Sequence, residues 1–379
     1  LQPDLQRILQ EATRLTRQGD LQAATARIQA ALRGESDGRF DAPPRPGDGV
    51  VIDVEAREVP GDSAAALPGR DGAPAGASAA ARPPPASAPA SARDTAEAFI
   101  AGRFGGAGAA GRDYKLYLPP DAGARPRPLL VLLHGCTQDA DDFARGTRMN
   151  DLARAHGCCV LYPVQSQRAN PQKCWNWFKH THQQRDRGEP ALLAGMVREV
   201  MARHAIDPAR VYVAGLSAGG AMADILGRTH PDLFAAVGVH SGLPTGAARD
   251  LPSALEAMKQ GAPRARPAPA TAVLPTIVFH GSADGTVHPS NGEQVFSAAG
   301  APAAAAPETE TRDGAGRRAT RRVQRGADGR VLAEHWLVHG APHAWSGGSR
   351  AGSYTDPQGP DASAEMLRFF LEHPKPGAA

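Results

Sequence analysis

Residues 210–222, RVYVAGLSAGGAM, decide how this chain is read. The apolar run at 209–214, ARVYVA, has the composition of a strand, and 221–234, AMADILGRTHPDLF, suits a helix. Between them stands Gly215-Leu216-Ser217-Ala218-Gly219. A strand that turns straight into a helix lifts the central serine hydroxyl out of the sheet on a strained turn. The flanking glycines are needed because a Cβ would clash at the elbow. Ser217 is therefore the candidate nucleophile. A bare Gly-x-Ser-x-Gly pattern is weak in a chain with 42 glycines; its flanks give it weight.

Outward from this turn, the pattern alternates strand and helix from about residue 95 to 375. Apolar strand-like runs occur at 129–133, 160–162, 211–214, 235–239 and 276–279. Helix-like stretches lie between them at 141–155, at 190–204 and after Ser217, and 361–372 closes the series. Near-continuous apolar strands separated by helices predict a mostly parallel sheet flanked by helices on both faces. Sites in such α/β folds sit at the carboxyl ends of the strands.

The chain before residue 95 reads differently. Leu5, Ile8, Leu9, Ala12 and Leu15 keep helical spacing, Gly19-Asp20 breaks it, and Asp20 is placed to cap a second helix carrying Leu21, Ala24, Ile28, Ala31 and Leu32. Residues 1–33 are thus expected to form a helical hairpin, for self-association, for docking, or to cover part of the chain's own catalytic domain. Residues 34–94 turn to Pro, Ala, Gly and Ser, as in LPGRDGAPAGASAAARPPPASAPASAR, and are expected to be a disordered tether. One exception is VVIDVEAREV at 50–59, whose β-branched content suits a strand or a segment pinned to a neighbouring surface.

Composition narrows the function classes. Forty-two Lys and Arg against 39 Asp and Glu give a net charge of +3, which does not call for a nucleic-acid partner. The densest basic stretch, RDGAGRRATRRVQRGADGR at 312–330, lacks interleaved aromatics. It predicts a surface hairpin turning at Gly326-Ala327-Asp328-Gly329, its charge protecting a sheet edge. No run approaches the roughly 18 apolar residues of a membrane span. The first twenty residues show no basic segment followed by an apolar block, so no signal peptide is read there; the chain begins with Leu1, so its true start is left open. The four cysteines, Cys136, Cys158, Cys159 and Cys174, lack the paired spacing of a zinc site, and no metal or cofactor is expected. Cys158 and Cys159 open the apolar run CCVLYP and suit small buried positions on a strand.

A serine hydroxyl needs a base to take its proton, and the base needs a third group to hold its tautomer. In α/β-hydrolases the chain order is Ser, acid, His. After Ser217, the strand TIVFHGS delivers Asp284 within HGSADGTVHPSNGEQV, and EHWLVHGAPHAWSGG ends in a loop carrying His343. These two complete the candidate triad. His134, His280 and His339 each precede a glycine at a strand end and suit structural roles. His240 and His288 compete more closely but fit the order less well. Two N–H donors must face the oxyanion. One is assigned to Ala218, the other to the loop after LLVLLHG, at Cys136 or alternatively Thr137. Trp175, Trp177 and Phe178 form a cluster in a chain with 5% aromatics and are candidates to line a substrate groove; packing between loop and core is the alternative. Trp345, two residues past His343, is grouped with them, although its place also suits shaping the base loop.

Together LLVLLHGCTQ, KCWNWF, VAGLSAGGAM and GAPHAWSGG resemble the poly(3-hydroxybutyrate) depolymerase family of esterases, which also holds relatives acting on feruloyl and acetyl esters of plant polysaccharides. The resemblance spans about 98–373. It implies an α/β-hydrolase fold and metal-free serine hydrolysis of carboxylic esters, polymeric or oligomeric. It carries Ser217, Asp284 and His343 into the triad and Cys136 with Ala218 into the oxyanion hole. It also suggests that Cys136 and Cys174 are joined, against a reduced cytosolic pair as the alternative. Its secreted members suggest an extracellular place. They also carry a separate binding module, where this chain has residues 1–94; that favours soluble oligomers, short esters or a mobile amorphous phase over solid, crystalline polymer. Feruloyl or acetylxylan esterase is the alternative activity, an inactive scaffold the alternative class.

Overall fold

The computed structural model describes residues 97–105, 111–263, 273–301, 305–313 and 316–376. All lie in the compact unit that begins at Ala92. The expected helical hairpin at 1–33, the tether at 34–94 and the strand-like 50–59 fall outside the described residues.

Strands β1 (Ala98–Phe104) and β2 (Arg112–Leu118) open the unit, and β3 (Arg127–Leu133) leads into helices α1 (Ala140–Thr147) and α2 (Met149–His156). Then come β4 (Cys159–Pro163), α3 (Gly188–Arg203), β5 (Ile206–Leu216), α4 (Ala218–Thr229), β6 (Ala236–His240), α5 (Leu251–Gln260), β7 (Thr276–Gly281) and α6 (Ser290–Ala299). Strands β8 (Glu308–Asp313), β9 (Arg318–Arg325) and β10 (Val331–Val338), the short pair β11 (Trp345–Ser346) and β12 (Thr355–Asp356), and α7 (Ala362–Glu372) complete it.

Ten strands form one sheet in the order β1-β2-β4-β3-β5-β6-β7-β10-β9-β8. The centre from β4 to β10 is parallel, and both flanks are antiparallel. Alternation along the strands divides the core in two. On β3, Leu129, Val131 and Leu133 pack on the face covered by α3, α4, α5 and α6. Leu130 and Leu132 face α1, α2 and α7. This double burial is why the central strands read as unbroken apolar runs.

The predicted helix over 141–155 is two helices. Arg148 between α1 and α2 is left-handed (φ 53°), and its N–H closes α1 on the Ala144 carbonyl at 3.0 Å. The expected arginine hairpin forms as β9 and β10, but it is not the edge. Strand β8 lies outside β9, and Arg321 and Arg325 on β9 meet Glu310 and Glu308 across that pairing. Carboxylates of β8 and β10 pair with Arg312, Arg321 and Arg325, while Arg317 meets Asp356 on β12 and Arg322 meets Glu293 on α6.

Candidate active site

Each of the three candidate triad residues sits at or just past the carboxyl end of a parallel strand. Ser217 links β5 to α4 with φ 57° and ψ −118°, left-handed backbone that a non-glycine residue rarely adopts. A Cβ on Gly215 would lie 2.4 Å from the Gly219 carbonyl carbon, and one on Gly219 would lie 2.1 Å from the Leu133 carbonyl oxygen. The elbow therefore accepts glycine alone at both flanks.

Asp284 lies on the turn after β7. Its Oδ1 accepts the N–H groups of Thr286 and Val287 at 2.9 and 2.8 Å, and its Oδ2 accepts His343 Nδ1–H at 2.7 Å. Burial alone would raise this carboxyl pKa. Hydrogen bonds from His280 and His343 outweigh it and hold the group far below the usual carboxylate range. Because Nδ1 of His343 donates to the aspartate, Nε2 is the nitrogen left to accept a proton.

His240, at the end of β6, connects the base loop to the elbow. Its carbonyl accepts the Ser217 N–H at 2.9 Å, and its ring Nε2 accepts the Ser346 N–H at 2.9 Å. Ser217 and the loop carrying His343 thus rest on the same residue. Burial pushes the His240 imidazole down to about 3, helped by the nearby His280 and His343, so the ring stays neutral and braces rather than titrates. The hydroxyl of Ser217 makes no hydrogen bond to a described residue; catalytic contacts often tighten only once substrate is bound.

The remaining rival histidines each have a partner for at least one ring nitrogen. His134 is fully buried, with Nδ1 on the Gly135 carbonyl and Nε2 accepting the Gln165 N–H, and burial lowers it to about 4. His280 Nε2 meets the Val287 carbonyl, His339 meets Thr320, and His288 meets Ser290.

The loop proposed from the sequence to hold the second oxyanion donor follows β3. Thr137 spends its N–H on the Gln172 carbonyl at 2.7 Å, which removes it as the alternative donor. Among the described residues no acceptor takes the N–H of Cys136 or of Ala218, the first residue of α4. Cys136 is bonded to Cys174, with Cα atoms 4.2 Å apart. The free thiols of Cys158 and Cys159 are buried and pushed up to about 12 and about 11 by desolvation.

The 165–176 segment holds the oxyanion loop from behind, and sequence reading missed how. The buried carboxylate of Glu189, at the start of α3, accepts hydrogen bonds from the Gln165 amide, the Asn176 N–H and the Asn176 amide. Gln165 also donates to the Cys174 carbonyl at 3.0 Å. No local pattern marks these residues, because their partners lie 9 to 24 positions away.

The aromatic expectation needs correction. Trp175 and Trp345 are 0% exposed and offer no face to a ligand. Trp175 donates its indole N–H to the His134 carbonyl at 3.1 Å; Trp345 donates to Ser363 Oγ at 2.9 Å and stacks on His240 at 5.0 Å. Trp177 is 5% exposed and belongs to the core, and Phe178 packs edge-on against it. All four serve the loops' packing, with Phe178 alone partly open.

A cleft of about 740 Å³ is lined by Arg148, Arg312, Arg321, Trp336, Asp361 and Arg368 among others. It contains none of Ser217, Asp284 or His343, and carboxylates pair with its arginines. Among the described residues no group of His, Cys, Asp and Glu is arranged to hold a metal ion, and no helix is long and apolar enough to cross a membrane.

Residues 112–300 match the family model described as esterase PHB depolymerase, a span that includes Ser217 and Asp284. Poly(3-hydroxyalkanoate) depolymerase C of Paucimonas lemoignei is 37% identical over 175 residues, 43% of this chain and 42% of that protein. Feruloyl esterase B of Thermothelomyces thermophilus is 32% identical over 140 residues, 37% of this chain and 47% of that protein. The chain therefore spans less than half the length of either relative. Among solved structures, the acetyl xylan esterase from Aspergillus awamori aligns with a TM-score of 0.56 at 18% identity, over 72% of this chain and 99% of that one; the two share a fold.

Proposed function

We propose that this chain, whose residues 112–300 belong to the esterase PHB depolymerase family, is a serine carboxylesterase acting on polyhydroxybutyrate-type polyesters or their oligomers. The observation that carries the reading is the 2.7 Å bond from His343 Nδ1 to an ionised, buried Asp284, in a loop that shares His240 with the serine elbow. Ser217 attacks the ester carbonyl while His343 Nε2 takes its proton. Negative charge on the carbonyl oxygen is met by the N–H groups of Cys136 and Ala218, the latter at a helix N-terminus where the dipole favours it. Collapse returns the proton to the leaving alcohol. Water activated by the same imidazole then frees the acid from Ser217.

Ser217→Ala is expected to abolish ester hydrolysis with folding retained; substantial turnover by the purified variant refutes the assignment. An inactive scaffold is the rival class. A serine-directed phosphonate that fails to label Ser217 favours it. Within the enzyme class, the feruloyl esterase relative supports a second reading on plant-polysaccharide esters. Hydrolysis of 3-hydroxybutyrate oligomers against feruloylated or acetylated xylan separates the two. The Cys136–Cys174 bridge supports an oxidising compartment. Residues 1–33 are proposed as a self-association hairpin on a tether at 34–94, with catalysis in 95–375. Removing the first 94 residues is expected to reduce the number of subunits per particle in solution while short-ester turnover persists; an unchanged subunit number refutes the assembly role.

A further inference from the structure

Of the chain's five tyrosines, Tyr114, Tyr117, Tyr162 and Tyr212 are at most 6% exposed, whereas Tyr354 is 47% exposed. It stands where the two loops of the candidate site meet. Its carbonyl accepts the N–H of Trp345 at 2.7 Å, two residues past His343. Its hydroxyl lies 3.2 Å from Thr137 Oγ1, and Thr137 donates its own hydroxyl hydrogen to the Cys136 carbonyl at 2.6 Å. The tyrosine hydroxyl is therefore the donor in the first of these bonds. One tyrosine is thus joined to the base loop through its backbone and to the oxyanion loop through its hydroxyl, and it is exposed to solvent.

The backbone reinforces the placement. Tyr354 (φ 52°) and Thr137 (φ 66°) are both left-handed, a conformation that bulky and β-branched residues avoid unless their surroundings fix it. A fold that only needed to close this turn would do so more easily with Gly or Asn. The aromatics singled out from the sequence are buried in packing. Among the described residues Tyr354 is the exposed ring joined to the oxyanion loop. Flat, apolar and tipped by a hydroxyl already in use, it suits contact with a methyl- and carbonyl-bearing chain rather than with a charged group.

We propose that the Tyr354 ring is the platform on which the ester chain lies beside the scissile carbonyl, making it a specificity residue for substrates with more than one acyl unit. The proposal rests on Ser217 being the nucleophile, and the experiment keeps the two apart. In Ser217→Ala protein, tetranitromethane is expected to nitrate Tyr354, since the other four tyrosines are buried. Saturating 3-hydroxybutyrate trimer is expected to slow that nitration at least about fivefold, as burial of the ring face requires. Nitration at the same rate with and without trimer overturns the proposal. Hydrolysis of the trimer by Ser217→Ala overturns the catalytic reading instead.

Two variants give a second readout. Tyr354→Asn removes the ring and tolerates the left-handed backbone. Its ratio of kcat/KM for trimer over p-nitrophenyl acetate is expected to fall about tenfold, the worth of one apolar ring contact. Tyr354→Phe keeps the ring, and its ratio is expected to stay within about twofold of the native protein, since only an exposed hydroxyl bond is lost. An unchanged ratio in Tyr354→Asn, or an equal fall in Tyr354→Phe, refutes a role for the ring face.

Discussion

Glu189→Gln tests whether the oxyanion donor depends on a carboxylate that touches no substrate. Oε1 of Glu189 takes the amides of Gln165 and Asn176, and Oε2 takes the Asn176 N–H at 2.7 Å. A glutamine can serve one of these two sides. Its NH2 then faces the other donor in a pocket where the residue is 2% exposed. One buried donor left unmet, with the charge-assisted strength of the remaining bonds lost, costs about 3 kcal/mol. The cost falls on the 165–176 segment, to which Cys136 is bonded through Cys174. Urea unfolding should register the loss of stability. Ester kcat should fall about tenfold, short of the hundredfold or more for deleting an oxyanion donor outright. The acid limb of stability should flatten as well. Burial alone would raise the Glu189 pKa, but hydrogen bonds from His182, Gln165 and Asn176 outweigh it and lower it from its ordinary 4.5. The folded state therefore binds fewer protons than the unfolded one just below that value. The stabilisation is full above about 4.5 and is lost as pH falls through the folded pKa. A variant with native stability, native kcat and a native acid limb would refute the claim that this carboxylate holds the loop.

Gly219→Ala should lower stability by about 3 kcal/mol, with a fall in kcat, because the new methyl meets the backbone oxygens of Leu133 and His134 and neither is on a movable side chain; a native melting temperature would show that the elbow yields. Reducing the Cys136–Cys174 bridge opens a loop of 38 residues, about 4 kcal/mol by chain entropy. The reduced protein should melt lower and turn over more slowly, and identical melting and turnover before and after dithiothreitol would dismiss the staple. The native oxidised protein should show no rapidly titrating thiol, since Cys158 and Cys159 are buried with raised pKa values; fast modification of either would contradict their placement.

What the sequence makes legible here follows from the range of the interactions involved. The serine elbow carries its turn chemistry in five consecutive residues, Gly215 to Gly219, and strands β3 to β7 are buried on both faces, so each announces itself locally. Chain order then brings Asp284 and His343 to the ends of neighbouring parallel strands, β7 and β10. Strand β1 escapes notice because much of it is exposed, β2 because charged Asp113 and Lys115 interrupt its buried residues, and the break at Arg148 because nothing in its side chain announces a left-handed turn. The loops are the hard part. Aromatic content around 175–178 suggests a ligand surface, yet burial converts those rings into supports, and the open ring arrives from residue 354, far along the chain. The same logic separates His240 from His343. His240 ends strand β6 and His343 lies on the loop after β10, and chain order alone prefers the second only weakly. What distinguishes them is environment: burial holds His240 neutral with both ring nitrogens occupied, while His343 has one nitrogen on a carboxylate and the other free. A brace and a base are the same side chain in two dielectric settings. That difference belongs to the packed sheet rather than to any stretch of sequence.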